Sequence, residues 1–137
     1  MFGLPYSIAL EGLVMNEVAI AKDGHREMSV PEVWRPTLVA IVDALVEERE
    51  PSLPQVVDRA PAAWSGMQAN VREYGARLKK LPEASWESSV CIWYGSFWDV
   101  LVDLHTEEEG RSDLVLQVHI HEDDGGYRYE VVLVYVP

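Results

Sequence analysis

Apolar residues recur along this chain with two different periods. Trp34, Leu38, Ile41, Val42 and Leu45 are spaced by four, three, one and three residues, and Trp64, Met67, Val71, Tyr74 and Leu78 by three, four, three and four. Each spacing places one apolar stripe along one side of an α-helix. The first helix is predicted to open at Ser29-Val30-Pro31-Glu32, which has capping-box spacing and a proline near the first helical position. It should end within residues 47–51. The second is predicted to run on to Lys79 and Lys80, cations suited to a helix C-terminus, and to close at Leu81-Pro82. Between them, Ser52-Leu53-Pro54 with Val56 and Val57 reads as a short helical turn interrupted by Pro61.

From Ser88 the period falls to two. Val90, Ile92 and Tyr94 alternate with Cys91 and Trp93, and Gly95-Ser96 allows a bend. Trp98, Val100, Val102 and Leu104 then share one face, opposite Asp99, Leu101, Asp103 and His105. Beyond a polar turn, Leu114, Leu116, Val118 and Ile120 oppose Asp113, Val115, Gln117, His119 and His121. Asp123-Asp124-Gly125-Gly126 is a hairpin turn signal, because such residues tolerate the positive φ a tight turn demands. The last strand sets Tyr127, Tyr129, Val131, Leu133 and Tyr135 against Arg128, Glu130, Val132, Val134 and Val136. The fold class that follows is α+β, with N-terminal helices packed on one face of a C-terminal antiparallel sheet of three to four strands. Residues 1–28 read as a partly ordered leader and residues 29–137 as a single domain.

Register follows from keeping like faces together. Around the first turn, Leu104 should pair with Leu114, Val102 with Leu116, Val100 with Val118 and Asp99 with His119. Around the second, Ile120 should pair with Tyr129 and His119 with Glu130. His119 would then lie between Asp99 and Glu130, with His121 beside Arg128. Val132, Val134 and Val136 would leave an apolar stripe opposite the core, a surface open to a homodimer.

Charge narrows the partners. With 137 residues, 48% hydrophobic, the chain is long enough for one domain with a true core. Its 23 acidic against 11 basic residues give a formal charge of −12, which repels nucleic acid and anionic lipid. The one cysteine, Cys91, excludes an intramolecular disulfide and suits a reducing compartment. The apolar N-terminal run contains Ile8, Leu10, Leu13, Val14, Val18 and Ile20 but also Glu11 and Glu17, and lacks a positive start, so it does not read as an export signal. The expected location is the cytoplasm.

Chemistry could reside at His119. Two imidazoles on one side of a strand, with carboxylates nearby, suggest a metal site. Alternate strand residues stand roughly 7 Å apart, however, and a solvated sheet face with cross-strand charge pairs accounts for the same pattern. An acid–base pair of His119 with Asp99 or Glu130 has a base but no activated nucleophile: Cys91 has no cation in its local sequence, and Ser89 and Ser112 lack a distinguishing context. Gly125-Gly126 is a turn rather than a phosphate cradle. No catalytic residue, metal ligand or cofactor is assigned. The run 107–113 concentrates charge in one turn, read as a solvated loop in which Arg111 relieves repulsion and Ser112 or Asp113 hydrogen-bonds the backbone.

Tyr74-Gly75, Leu78, Leu81-Pro82, Trp86 and then Leu104-His105-Thr106-Glu107-Glu108-Glu109-Gly110-Arg111-Ser112-Asp113-Leu114 resemble a family of small uncharacterised bacterial domains. In that family an aromatic often precedes the Thr-Glu-Glu-Glu-Gly-Arg-Ser-Asp-Leu run, where this chain has His105. The similarity extends from Val30 to the C-terminus, and the acidic run is its only specific motif. The resemblance implies an α+β fold and no established activity, so it transfers no catalytic residues.

Two functional classes remain. The first is a non-enzymatic binding protein of the bacterial immunity or antitoxin type, which blocks a basic partner such as a toxin by electrostatic complementarity. Its expected binding residues are Glu107, Glu108, Glu109, Arg111, Asp113, Asp123 and Asp124 at the turns and Asp99, Asp103, His119 and Glu130 on the sheet. The second is a cone-shaped small-molecule-binding or enzymatic domain like nuclear-transport-factor folds, with a pocket lined by Trp64, Tyr74, Trp93, Trp98 and Tyr129. Aromatics in a helix–sheet domain are more simply core.

Overall fold

The computed structural model describes residues 19–137. Much of the N-terminal apolar run therefore lies outside the described residues. Its last part does not: the Ala21 carbonyl accepts the Trp98 indole N–H at 3.1 Å, and Lys22 Nζ reaches both Glu122, at 3.0 Å, and the Trp93 ring.

The described residues form two helices and seven strands. Strand β1 (Met28–Ser29) leads through a 3₁₀ turn (Glu32–Trp34) into α1 (Arg35–Val46). Next come β2 (Val56–Asp58), α2 (Ala63–Tyr74), β3 (Leu78–Lys79), a second 3₁₀ turn (Glu83–Glu87) and β4 (Val90–Trp93). The long strands β5 (Trp98–Thr106), β6 (Gly110–Asp123) and β7 (Gly126–Tyr135) complete the chain. They form one sheet in the order β1-β4-β5-β6-β7-β2, with β3 pairing the far end of β5. The α+β class holds, but the sheet is larger than the three to four strands expected, and its extra strands are interleaved with the helices. All pairings are antiparallel except β2 with β7.

The additional strands explain where helical reading failed. Val56 and Val57 belong to β2, paired with Tyr129 and Glu130, because a distant strand edge supplies partners that local sequence cannot reveal. The second helix stops at Gly75, whose φ of +90° marks a left-handed C-terminal cap, and Leu78–Lys79 pair with Thr106 and His105 instead of continuing it. The predicted capping box is also absent. Ser29 lies in β1, and α1 starts at Arg35 after the 3₁₀ turn, without a side-chain cap.

The apolar stripes do meet the sheet. Trp34, Leu38, Ile41, Val42 and Leu45, together with Trp64 and Met67, join Val100, Val102, Leu116, Val118, Ile120 and Val131 in one buried core. Trp34 packs on Trp98 at 5.1 Å between ring centroids and edge-on to Tyr127, and Trp93 packs on Trp98 at 4.7 Å. The aromatics assigned to a cone-shaped pocket are thus largely packing groups: Trp98, Trp64 and Tyr129 are buried in the core. Cys91 is buried too, and burial pushes its thiol pKa up to about 11.

Register was legible over most of the sheet. Val102 pairs with Leu116, Val100 with Val118, Asp99 with His119, His119 with Glu130, and Ile120 with Tyr129. Two bulges change the rest. The first lies between Asp103 and His105, so Leu104 does not pair with Leu114 although both remain buried. The second sets Val118 opposite Val131 but Gln117 opposite Leu133, which shifts the alternation at Val132. Val134 therefore enters the core while Leu133 is exposed, and the expected outer stripe of Val132, Val134 and Val136 is broken.

Ala62 precedes α2 with φ of +67° and offers no side-chain cap. A side chain in the left-handed region is strained, so Ala62→Gly should stabilise the fold by roughly 0.5–1 kcal/mol after allowing for the greater unfolded-state freedom of glycine. Urea denaturation of the two proteins measures this; an unchanged or lower midpoint would count against strain at this position.

Candidate functional site: the helix-free face of the sheet

Both helices and the 3₁₀ turn carrying Trp86 contribute to the core on one side of the sheet. The opposite face has no helix over it among the described residues. Pleating puts Asp99, Asp103, Gln117, His119, His121 and Glu130 there, on three adjacent strands. Register then makes neighbours of residues far apart in sequence.

The centre is a chain of carboxylates and imidazoles. His119 Nε2 stands 3.3 Å from Asp99 Oδ1, and its Nδ1 stands 3.8 Å from Glu130 Oε1. His121 Nε2 approaches the same Glu130 oxygen at 3.0 Å, and Gln117 Nε2 donates to Asp99 Oδ1 at 2.9 Å. Phe97 stacks on His119 at 4.2 Å between centroids and lies 5.5 Å from His121. The His119 side chain is only 10% exposed and that of Asp99 14%, so this is a sheltered network on an open face.

Shelter sets protonation. Burial holds His119 below its ordinary pKa, and Arg59 and His121 push the same way against the opposing pull of Asp99 and Glu130. Held below its ordinary pKa, the ring feels both carboxylates through charge, since neither the Nε2 contact with Asp99 nor the Nδ1 contact with Glu130 has hydrogen-bond geometry. Gln117 and His121 supply the donors to Asp99 Oδ1 and Glu130 Oε1, while Asp99 Oδ2 and Glu130 Oε2 have none among the described residues. Two fixed carboxylates, each with an oxygen to spare, can accept hydrogen bonds from an incoming ammonium or guanidinium.

The hydroxyls and the thiol near the network are engaged by the backbone or the core. Among the described residues no three His, Cys, Asp or Glu side chains converge to hold a metal ion. Ser89 Oγ accepts from the Asp103 N–H at 2.9 Å, and Ser112 Oγ donates to the Leu104 carbonyl at 2.8 Å, so both hydroxyls serve the backbone. Cys91 faces the core.

The acidic turn is solvent-exposed, as expected, with Glu107, Glu108, Glu109, Gly110, Arg111 and Asp113 all open to water, but two of its carboxylates also have donors. Glu108 accepts from the Arg77 backbone N–H at 3.0 Å and from its guanidinium at 3.3 Å. Glu109 receives the Tyr74 hydroxyl at 2.9 Å and the Thr106 hydroxyl at 3.0 Å, while the Asp113 N–H donates to Tyr74 at 3.2 Å. The Glu107 N–H binds the Arg77 carbonyl. Ser112 also receives the Leu114 N–H, as the sequence suggested, but Arg111 turns toward Asp103 at 4.0 Å rather than toward the glutamates. The run fastens the β5–β6 hairpin to the end of α2. Tyr74-Gly75 was present in the same sequence pattern, yet its contact with Glu109 spans 35 residues and has no local signature.

The remaining expected residues are dispersed. Asp123 and Asp124 form the exposed β6–β7 turn, where Asp124 has φ of +50° and Gly125 +81°. His105, in place of the aromatic, is buried between the β3 and β6 ladders, opposite Lys79 and Arg111, with no partner for Nδ1 among the described residues. Burial lowers its pKa as well.

These features define an α+β domain whose sheet carries a sheltered histidine–carboxylate network on a helix-free face. The chain belongs to the family described as Domain of unknown function (DUF7668), whose model matches residues 40–137. That span includes the acidic run and the whole network. No curated protein and no solved structure matches the chain.

Two measurements follow from this geometry. Thr106 is fully buried, and its hydroxyl both donates to Glu109 and receives the Glu109 N–H at 3.1 Å. Thr106→Val should therefore cost about 1–2 kcal/mol in denaturant titration, with loss of the turn's contact to α2. A change near zero would show that the staple does not hold. Because the folded-state pKa values of His119 and His105 are lowered, the unfolded chain takes up protons first. Their contribution to stability is present above about pH 6.5 and is lost as pH falls through the lowered folded values. Thermal midpoints should decline from about pH 7 to pH 5, and His119→Gln should flatten that decline; an unchanged slope would remove His119 from the account.

Proposed function

We propose that this protein is a non-enzymatic binding module of the bacterial immunity or antitoxin type, which takes a basic protein partner on the helix-free face of its sheet. The observation that carries the reading is the pair of fixed carboxylates, Asp99 and Glu130, each with one oxygen left without a donor among the described residues. Preorganised acceptors lose little entropy when a cationic side chain arrives. The formal charge of −12 supplies long-range attraction that raises the association rate. Asp103 and Glu130 extend the acidic character across the face, and Asp123 and Asp124 lie at its β6–β7 end. Glu108 and Glu109 enter this reading as supports of the hairpin, since their carboxylates already have partners.

Binding through this face requires salt sensitivity. The protein immobilised as bait should capture a basic protein from native lysate at low salt and release it at about 0.5 M salt. The double variant Asp99→Asn and Glu130→Gln should associate about tenfold more slowly with an unchanged far-ultraviolet spectrum. Salt-independent capture, or equal rates for the double variant, would sink the proposal.

A further inference from the structure

A cleft of about 430 Å³ lies apart from the sheet face, where α1 ends beside the C-terminal part of α2 and β3. This volume is in the range of small-ligand pockets. Leu45, Val46, Val71 and Leu78 contribute apolar surface to its lining and also pack into or against the core. Around that surface stand Glu48, Arg72, Arg77 and Glu107, two charges of each sign. Their states differ. Arg77 is already paired with Glu108, whereas Arg72 has no ion pair among the described residues.

The helix ends differ too. At the end of α1, the N–H groups of Glu47, Glu48 and Arg49 close on the carbonyls of Asp43, Leu45 and Ala44. At the end of α2, the carbonyl of Arg72 receives no hydrogen bond among the described residues, and Arg72 and Gly75 line the cleft. Free carbonyls at a helix C-terminus favour a cation, and Glu48 and Glu107 add to that preference. Arg72 favours an anion. An apolar floor between a cation-seeking helix end and an unpaired guanidinium matches a ligand carrying all three features.

We propose that this cleft binds a free α-amino acid with an apolar side chain. The ammonium is held by the Arg72 carbonyl with Glu48 and Glu107, the carboxylate by the Arg72 guanidinium, and the side chain by Val71, Leu78 and their neighbours. Leucine or phenylalanine fits the volume.

Isothermal titration with L-leucine and L-phenylalanine tests this on the whole chain, with L-leucinamide and N-acetyl-L-leucine as probes lacking one charge each. The zwitterions should bind saturably and both blocked analogues about tenfold or more weakly. Arg72→Gln should reduce leucine binding to the level of leucinamide, and Glu48→Gln should reduce it without altering N-acetyl-leucine. Both side chains are on the surface, and a thermal melt of each variant separates lost binding from lost fold. Absence of saturable heat up to about 10 mM amino acid would overturn the proposal. So would equal binding of the blocked analogues or indifference to Arg72→Gln.

Discussion

The structure depends on keeping the pleat of β5, β6 and β7 in phase with the stripes of the two helices. Each long strand is amphipathic, so a slip by one residue would expose Trp98, Val100, Val118 and Ile120 and bury Asp99, His119 and Glu130 without the helices to receive them. At about 1.5–3 kcal/mol for each large apolar side chain buried, such a slip is prohibitive. The bulges near His105 and at Val132 are placed where phase must change. They return Val134 to the core and turn Leu133 outward without disturbing the central register.

That register has a second effect, because it creates the polar network. Asp99, His119 and Glu130 come from three strands and meet only because Val100, Val118 and Val131 meet on the other side. The core and the candidate site are two faces of one pairing. Phe97 adds shelter by stacking on the imidazole, which strengthens electrostatic contacts and raises the cost of charging the ring.

The Thr-Glu-Glu-Glu-Gly-Arg-Ser-Asp run shows how a charged sequence can be structural. Repulsion among adjacent carboxylates is offset when each is directed to its own donor, as Glu108 is to Arg77 and Glu109 to Tyr74 and Thr106. Gly110, with φ of +75°, lets the chain turn immediately afterwards into β6. The turn therefore joins α2 to the sheet and sets one side of the cleft through Glu107 and Arg77. A docking role for the whole run would compete with these bonds, whereas the carboxylates of the sheet face keep unshared oxygens.

Sequence alone determined the features that arise from local periodicity: the apolar stripe of α1 and that of α2 as far as Tyr74, the three long strands, the Asp124-Gly125 turn, and the placing of His119 between Asp99 and Glu130. Alternation at period two and spacing near 3.6 express which side of an element is apolar, and burial enforces them. It could not determine β2 or β3, because two- and three-residue strands exist only where a distant edge offers unpaired backbone groups. Nor could it determine the bulge at Val132, where several consecutive apolar residues leave either phase equally hydrophobic. The partners of Glu108 and Glu109 and the convergence of two helix ends on one cleft were likewise decided by tertiary structure, since they join groups tens of residues apart.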